Sequence, residues 1–201
     1  MSSDVQSTFI TAAAADTNGL SVAAAVGNNA ALVLGGALAS GGAVTFDQPR
    51  NITILSAGND AAKSFTVVGT DETATAVTES ITGANAGTAT GTTHFATIAS
   101  ITAVGNPAGN VSAGSGTSIA APMFRGRMRL KGIYCVNTGT AGTTTFREES
   151  DSGEIRMQFN TVGSADTAEY PDIPDDGLLF RGGGYVLYTQ TQLSSITVFY
   201  A

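Results

Sequence analysis

From residue 31 onward, apolar and polar positions alternate in short runs, and each run stops at Gly, Asn, Asp or Pro. A period of two is what a half-buried strand requires, because successive side chains point to opposite faces of a sheet. Ile52/Ile54 and Phe65/Val67 alternate with polar neighbours, and Ile155, Met157 and Phe159 alternate with Glu154, Arg156, Gln158 and Asn160. The pattern predicts strands at residues 31–35, 43–47, 52–56, 64–69, 76–82, 95–104 and 110–113. A stronger second set is expected at 127–136, 143–147, 154–160, 178–181, 185–190 and 195–200. The last of these puts Ile196, Val198 and Tyr200 on one face, so the closing segment is expected to be woven into a sheet and its truncation to unfold the domain. Glu79 shares a face with Val77 and Ile81. It must therefore lie at a wet edge or meet a base such as Arg50 or Lys63, the edge being the simpler reading.

Turn chemistry separates these runs. Gly41 and Gly42, then Gly58, Asn59 and Asp60, then Gly105, Asn106 and Pro107 supply residues that tolerate or preset turn geometry. Residues 137–142 and 171–177 read as loops by composition. Gly182, Gly183 and Gly184 lie between two strands with no helix following, which reads as a hairpin turn and not as a phosphate cradle.

Helical periodicity is almost absent. Only residues 9–15 and 22–26 are alanine-rich enough for a turn or two, and such short helices are marginal alone. Residues 1–30 therefore read as an extended N-terminal arm ordered by its neighbours. The small, polar run 114–121, followed by Pro122, reads as a linker. The fold expected is all-β: two β-sandwich or jelly-roll-like modules, at 31–116 and 125–201, joined by a linker at 117–124.

Composition narrows the function. The 201 residues include 25 Gly and no Trp, and only 12% are charged. The 42% hydrophobic content is rich in alanine, so each module's core is thin and support from partner subunits is expected. A net charge of −7 argues against general nucleic-acid binding. No basic stretch precedes an apolar core near Asp4, so no signal peptide is read. Asn28, Asn29 and glycines break the apolar run 23–39, so no membrane span is expected.

Candidate chemistry is sparse. His94, the only histidine, lies at the start of an expected strand with no nucleophile elbow near it, and reads as solvated or capping. Cys135, the only cysteine, sits in a strand interior and reads as structural. One His and one Cys do not make a zinc site. Asp172, Asp175 and Asp176 lack the spacing of a calcium loop and read as turn residues. Paired carboxylates are invisible in sequence, but a sugar-cleaving cleft would want aromatic platforms that are scarce here. No catalytic residue, metal ligand or cofactor is assigned, and an enzyme is not expected. One electrostatic signal stands out. Arg125, Arg127, Arg129 and Lys131 occupy alternate positions and would share one side of a single strand, with Met128 and Leu130 on the other. Like charges so placed need acids opposite. Either the acidic hairpin of Glu148, Glu149, Asp151 and Glu154 supplies them internally, the reading slightly favoured, or another subunit does.

The stretch 36–116 resembles a module of tailed-bacteriophage structural proteins. The second half resembles a partner module, in the segments Arg129-Leu-Lys-Gly-Ile-Tyr134, 138–142, Ile173-Pro-Asp-Asp-Gly-Leu-Leu-Phe180 and Ser195-Ile-Thr-Val-Phe-Tyr200. In the module's usual pattern a glycine stands in the turn near residues 70–76, where this chain has Asp71-Glu-Thr-Ala-Thr75. The resemblance implies β-sandwich modules and a place in the virion. Among virion roles a capsid decoration (cement) protein is expected, a homo-oligomer, typically a trimer, that clamps the major capsid protein on the exterior of the head. A tail, neck or head-fibre component is the alternative. A host- or glycan-binding adhesin, which would need exposed Tyr170 or Tyr185, is another.

Overall fold

A computed structural model describes residues 4–201, and among them every regular element is a β-strand. The protein is all-β, as the alternation predicts, with large antiparallel sheets. Its division is not the one expected. The chain forms two compact units, one made of Ala14–Thr117 and the other of Met1–Ala13 together with Ser118–Ala201. We call them the inserted and the split unit.

The inserted unit holds β2 (Ser21–Ala25), β3 (Ala39–Ser40), β4 (Ala43–Ser56), β5 (Ser64–Thr70), β6 (Ala76–Thr82), β7 (Thr88–Thr90) and β8 (Phe95–Val104). The first part of β9 (Asn110–Arg125) also belongs to it. Its strands run in the order β9-β4-β8-β5-β6, all antiparallel where the register is defined. The core gathers Ile52, Ile54, Phe65, Val67, Phe95, Ile98 and Ile101 around Leu20, Leu32 and Leu34. Residues 52–56 and 43–47, expected as two strands, are one long strand in β4, which changes partner from β8 to β7 along its length. Residues 31–35 do not form a strand. Ala31 makes an isolated bridge to Thr102, and Leu32 N–H donates to the Ile101 carbonyl, so the segment covers the core rather than joining a ladder. Glu79 lies on the edge strand β6, where its carboxylate accepts the Thr92 N–H at 2.7 Å. Neither Arg50 nor Lys63 is its partner: Arg50 is buried and reaches Asp47 at 2.7 Å.

The split unit is a sandwich. One layer is β1 (Gln6–Ile10), β16 (Leu193–Tyr200), β10 (Met128–Asn137) and β13 (Ala168–Glu169), with β14 (Leu178–Phe180) also paired to β10. The other is the remainder of β9 followed by β15 (Gly183–Thr189), β11 (Gly142–Glu148) and β12 (Ile155–Thr161). Ile10, Leu130, Ile133, Cys135, Phe180, Ile196 and Val198 from the first meet Ile119, Ala121, Phe146, Val186 and Tyr188 from the second in one core. On β12 Met157 and Phe159 pack against that core, while Ile155, the first member of the alternating set, is exposed.

Three expectations at the N-terminus and the joint are corrected. Of the arm expected at residues 1–30, residues 1–3 lie outside the described residues, and residues 4–30 are not an arm and hold no helical turns. Gln6–Ile10 pairs with β16 and Ser21–Ala25 with β9, so the segment belongs to two different sheets. Residues 117–124 are not a linker but the interior of β9. The small residues before them serve close packing: a Cβ on Gly114 would lie 2.2 Å from the Asp16 carbonyl oxygen, and one on Gly116 2.2 Å from Asn51 Oδ1. Pro122, which cannot donate to a ladder, sits where the β9–β15 register shifts. Gly182–Gly184 likewise is not a hairpin turn, because β14 and β15 belong to different layers and the glycines carry the chain between them.

Candidate interaction surface

The basic stripe is broken by a turn. β9 ends at Arg125, Gly126 takes a left-handed φ of 103°, and β10 begins at Met128. Arg125 and Arg127 therefore do not share one strand with Arg129 and Lys131. The chain reverses here because Gly126 accepts a φ that a side chain would resist. Arg129, Lys131 and Arg127 nevertheless converge on a cleft of about 250 Å³ with Met128, Leu179 and Ala201.

Two members of the stripe, Arg129 and Lys131, find backbone carbonyls as hydrogen-bond partners. Arg129 donates to the carbonyls of Asp176 at 3.0 Å and Gly177 at 3.4 Å, and Lys131 donates to that of Asp175 at 3.1 Å. Residues 175–177 are thus held by cations through their backbone, in the loop 171–177 that carries Asp172, Asp175 and Asp176. Arg127 is exposed and makes no hydrogen bond or ion pair among the described residues. The hairpin between β11 and β12 has its own neighbours. Glu148 meets Arg156 at 3.4 Å and accepts the Arg181 N–H, and Glu154 meets Arg156 at 3.5 Å, around a cleft of about 510 Å³. Glu149 is exposed, and its carboxylate makes no ion pair among the described residues.

A feature absent from the sequence reading lies on the outer face of the β1-β16-β10-β13 layer. Along β1, Thr8 and Ile10 point inward, with Thr8 Oγ1 donating to the Met123 carbonyl and Ile10 entering the core. Alternation then turns Phe9 outward, 65% exposed. Phe9 pairs with Thr197, and Thr197 with Tyr134, whose ring centroid lies 5.1 Å from that of Tyr170. In the next row Phe199, 38% exposed, lies over Gly132, where a Cβ would be only 3.4 Å from the ring. Phe9, Phe199, Tyr134 and Tyr170 thus form an aromatic band across the strands. The band escaped the sequence because its members come from strands far apart in the chain. The one available signal was the alternation of Phe9 with Thr8 and Ile10 in a segment read as an arm.

Tyr170 is 72% exposed and Tyr185 is buried, so only the first could serve an external ligand. Beside Tyr170 an open cleft of about 260 Å³ is lined by Phe159, Asn160, Glu169 and Pro171. His94, read as solvated or capping, is buried, which removes the first of those two readings. Cys135 is fully buried, and burial first, then the Glu169 carboxylate, push its thiol up to about 12. It packs as a small apolar residue in the core. Among the described residues no three His, Cys, Asp or Glu side chains gather as a metal site, and no helix is long and apolar enough to cross a membrane.

Comparison with family models, with curated proteins and with solved structures returns no match for this chain.

Proposed function

We propose that the chain is a non-enzymatic structural protein of a bacteriophage virion, a capsid decoration protein that docks on the exterior of the head and bridges copies of the major capsid protein. The observation that carries the reading is the aromatic band on the open face of the β1-β16-β10-β13 layer. Large exposed apolar groups gathered on one face mark an interaction surface, since scattered ones need no explanation but a contiguous set does. Aromatic anchors beside arginines are also the composition of protein–protein contacts, and the cleft of Arg127, Arg129 and Lys131 adjoins on β10. Shallow contacts of this kind gain strength from repetition, as a many-copy lattice provides. The resemblance of residues 36–116 to phage structural modules supplies the setting.

The test is binding to particles stripped of this protein. Phe9→Ser alters an exposed side chain and leaves the fold intact, yet weakens particle binding at least several-fold. Binding equal to that of the unaltered protein overturns the docking face. A second reading, glycan recognition, is favoured by one observation, the exposed Tyr170 beside the Phe159–Asn160–Glu169 cleft. A glycan array on which Tyr170→Ala removes all signal would support it, and an array without hits would dismiss it.

A further inference from the structure

We infer that Asn18 and Gly19 form a self-modifying site, an asparagine–glycine pair able to cyclise and deamidate, which the fold keeps latent while the turn at residues 16–19 stays closed. This is the sole Asn-Gly pair in the sequence. A glycine that follows asparagine leaves the peptide nitrogen unshielded and the backbone free to rotate, so the side chain reaches the main chain with least hindrance there. Asn18 is exposed, and its side-chain amide makes no hydrogen bond among the described residues. In the reaction the Gly19 nitrogen gives its proton to solvent base and bonds to Asn18 Cγ. The Cγ–Nδ2 bond breaks and ammonia leaves. Water then opens the cyclic imide, at Cγ to give aspartate or at the main-chain carbonyl carbon to give isoaspartate. Water is the one co-reactant, and nothing is oxidised or reduced.

The folded chain blocks the first step. Gly19 N–H donates to the Asp16 carbonyl and closes the turn, but at 3.4 Å that bond alone is weak. The clamp lies around it. Ser115 N–H donates to the Asp16 carbonyl at 2.9 Å, and Ser115 Oγ accepts the Asp16 N–H at 3.0 Å. At the other end the Gly19 carbonyl accepts the Leu38 N–H at 2.8 Å, and Asn18 N–H donates to Asp16 Oδ1 at 3.2 Å. The turn is also wedged between two glycines. A Cβ on Gly36 would lie 2.3 Å from the Gly19 carbonyl oxygen, and one on Gly114 2.3 Å from the Thr17 carbonyl carbon. For the Gly19 nitrogen to reach Asn18 Cγ, the peptide between them must rotate, and packing this close leaves it no room. Cyclisation therefore waits on local opening, and its rate falls in proportion to the opening equilibrium. Glycine at 19 is itself imposed by packing, since a Cβ there would lie 2.8 Å from both Asp16 Oδ2 and Leu38 Cδ1. All of these groups belong to the inserted unit. Isoaspartate lengthens the main chain by one carbon inside a turn without slack, so a reacted chain does not close the turn again.

The inference is independent of the virion reading, and its test needs no particle. The full chain is held at mildly alkaline pH in buffer and in guanidinium chloride, then digested with trypsin. No Lys or Arg precedes Arg50, so one fragment carries Asn18 together with Asn28 and Asn29 as internal references. Tandem mass spectrometry follows the acid formed at each position. In denaturant, acid should form at Asn18 at least several-fold faster than at Asn28 or Asn29. In buffer, the rate at Asn18 should fall about tenfold or more, because only the opened turn reacts. Asp16→Ala removes the side-chain acceptor of the Asn18 N–H and should raise the rate in buffer several-fold. On return to buffer, the chains carrying isoaspartate at position 18 should not regain the native circular dichroism spectrum, whereas an Asn18→Gln chain treated alike should regain it. Equal rates at Asn18 in buffer and in denaturant would overturn the latency. A denatured chain that reacts no faster at Asn18 than at Asn28 would overturn the site itself.

Discussion

Ile10→Ala and Phe9→Ala alter neighbours in a segment whose composition reads as an arm, and the structure gives them opposite consequences. Ile10 is 1% exposed and belongs to the core of the split unit, while Phe9 on the other face of β1 is largely exposed. Truncating a buried isoleucine to alanine costs about 2–5 kcal/mol, from lost transfer energy and the cavity left behind. Because β1 is an edge strand of five residues, the site can collapse in part, which favours the lower half of that range. With a urea dependence of about 1–3 kcal/mol per molar for a small domain, the unfolding midpoint should fall by about 1 M or more. Phe9→Ala should stay within about 0.5 kcal/mol, as exposed substitutions do. The protein carries its own probe. All 5 tyrosines, at 134, 170, 185, 188 and 200, lie in the split unit, and there is no tryptophan. Tyrosine fluorescence during urea unfolding therefore reports that unit alone. Equal and small shifts for both variants would refute the pairing of β1 with β16 and restore the arm.

Gly69→Ala should destabilise the inserted unit by about 1–3 kcal/mol or more, since the added Cβ would lie 1.9 Å from the Thr97 carbonyl oxygen and the backbone must move; far-UV circular dichroism in denaturant measures it. Cys135 should not react with a thiol reagent in the native protein at pH 8 and should react on unfolding, since its thiol is buried and raised to about 12. The sign for stability follows: the unfolded thiol, near 9, ionises before the folded one, so this contribution is complete below about pH 9 and is lost as pH rises toward 12. Fluorescence-monitored unfolding across that window, with Cys135→Ala as the comparison, checks it.

Much of the strand content was legible because alternation is a local signal. β6 and β8 occupy the residues the pattern indicates, and β5, β11 and β12 differ from it by a residue or so at their ends. The face formed by Ile196, Val198 and Tyr200 is also buried as read. What failed was organisation. The run around Gly114, Ser115 and Gly116 has a linker's composition, yet it is buried, because small residues admit Asp16 and Asn51 at close range. Composition alone does not distinguish a flexible backbone from a closely approached one. The early residues were misread for a similar reason: an alanine-rich segment carries little alternation of its own, and β1 and β2 exist by pairing with strands late in the chain.

The candidate surface was only half legible. Four cations at alternate positions were visible, but their placement on one strand assumed that nothing between them turns, and Gly126 does. Convergence of three of them on a cleft depends on Leu179 and Ala201, both distant in sequence. The aromatic band depends on the registers of β1, β16 and β10, which the sequence does not announce.

The most direct test of the virion reading is cryo-electron microscopy of the particle that carries this protein. The account predicts density for a two-unit β protein on the outer surface of the head, repeated over the capsid lattice, with the face bearing Phe9, Phe199 and Tyr134 against the shell. Density confined to the tail or neck, or a head lattice without it, would contradict the account.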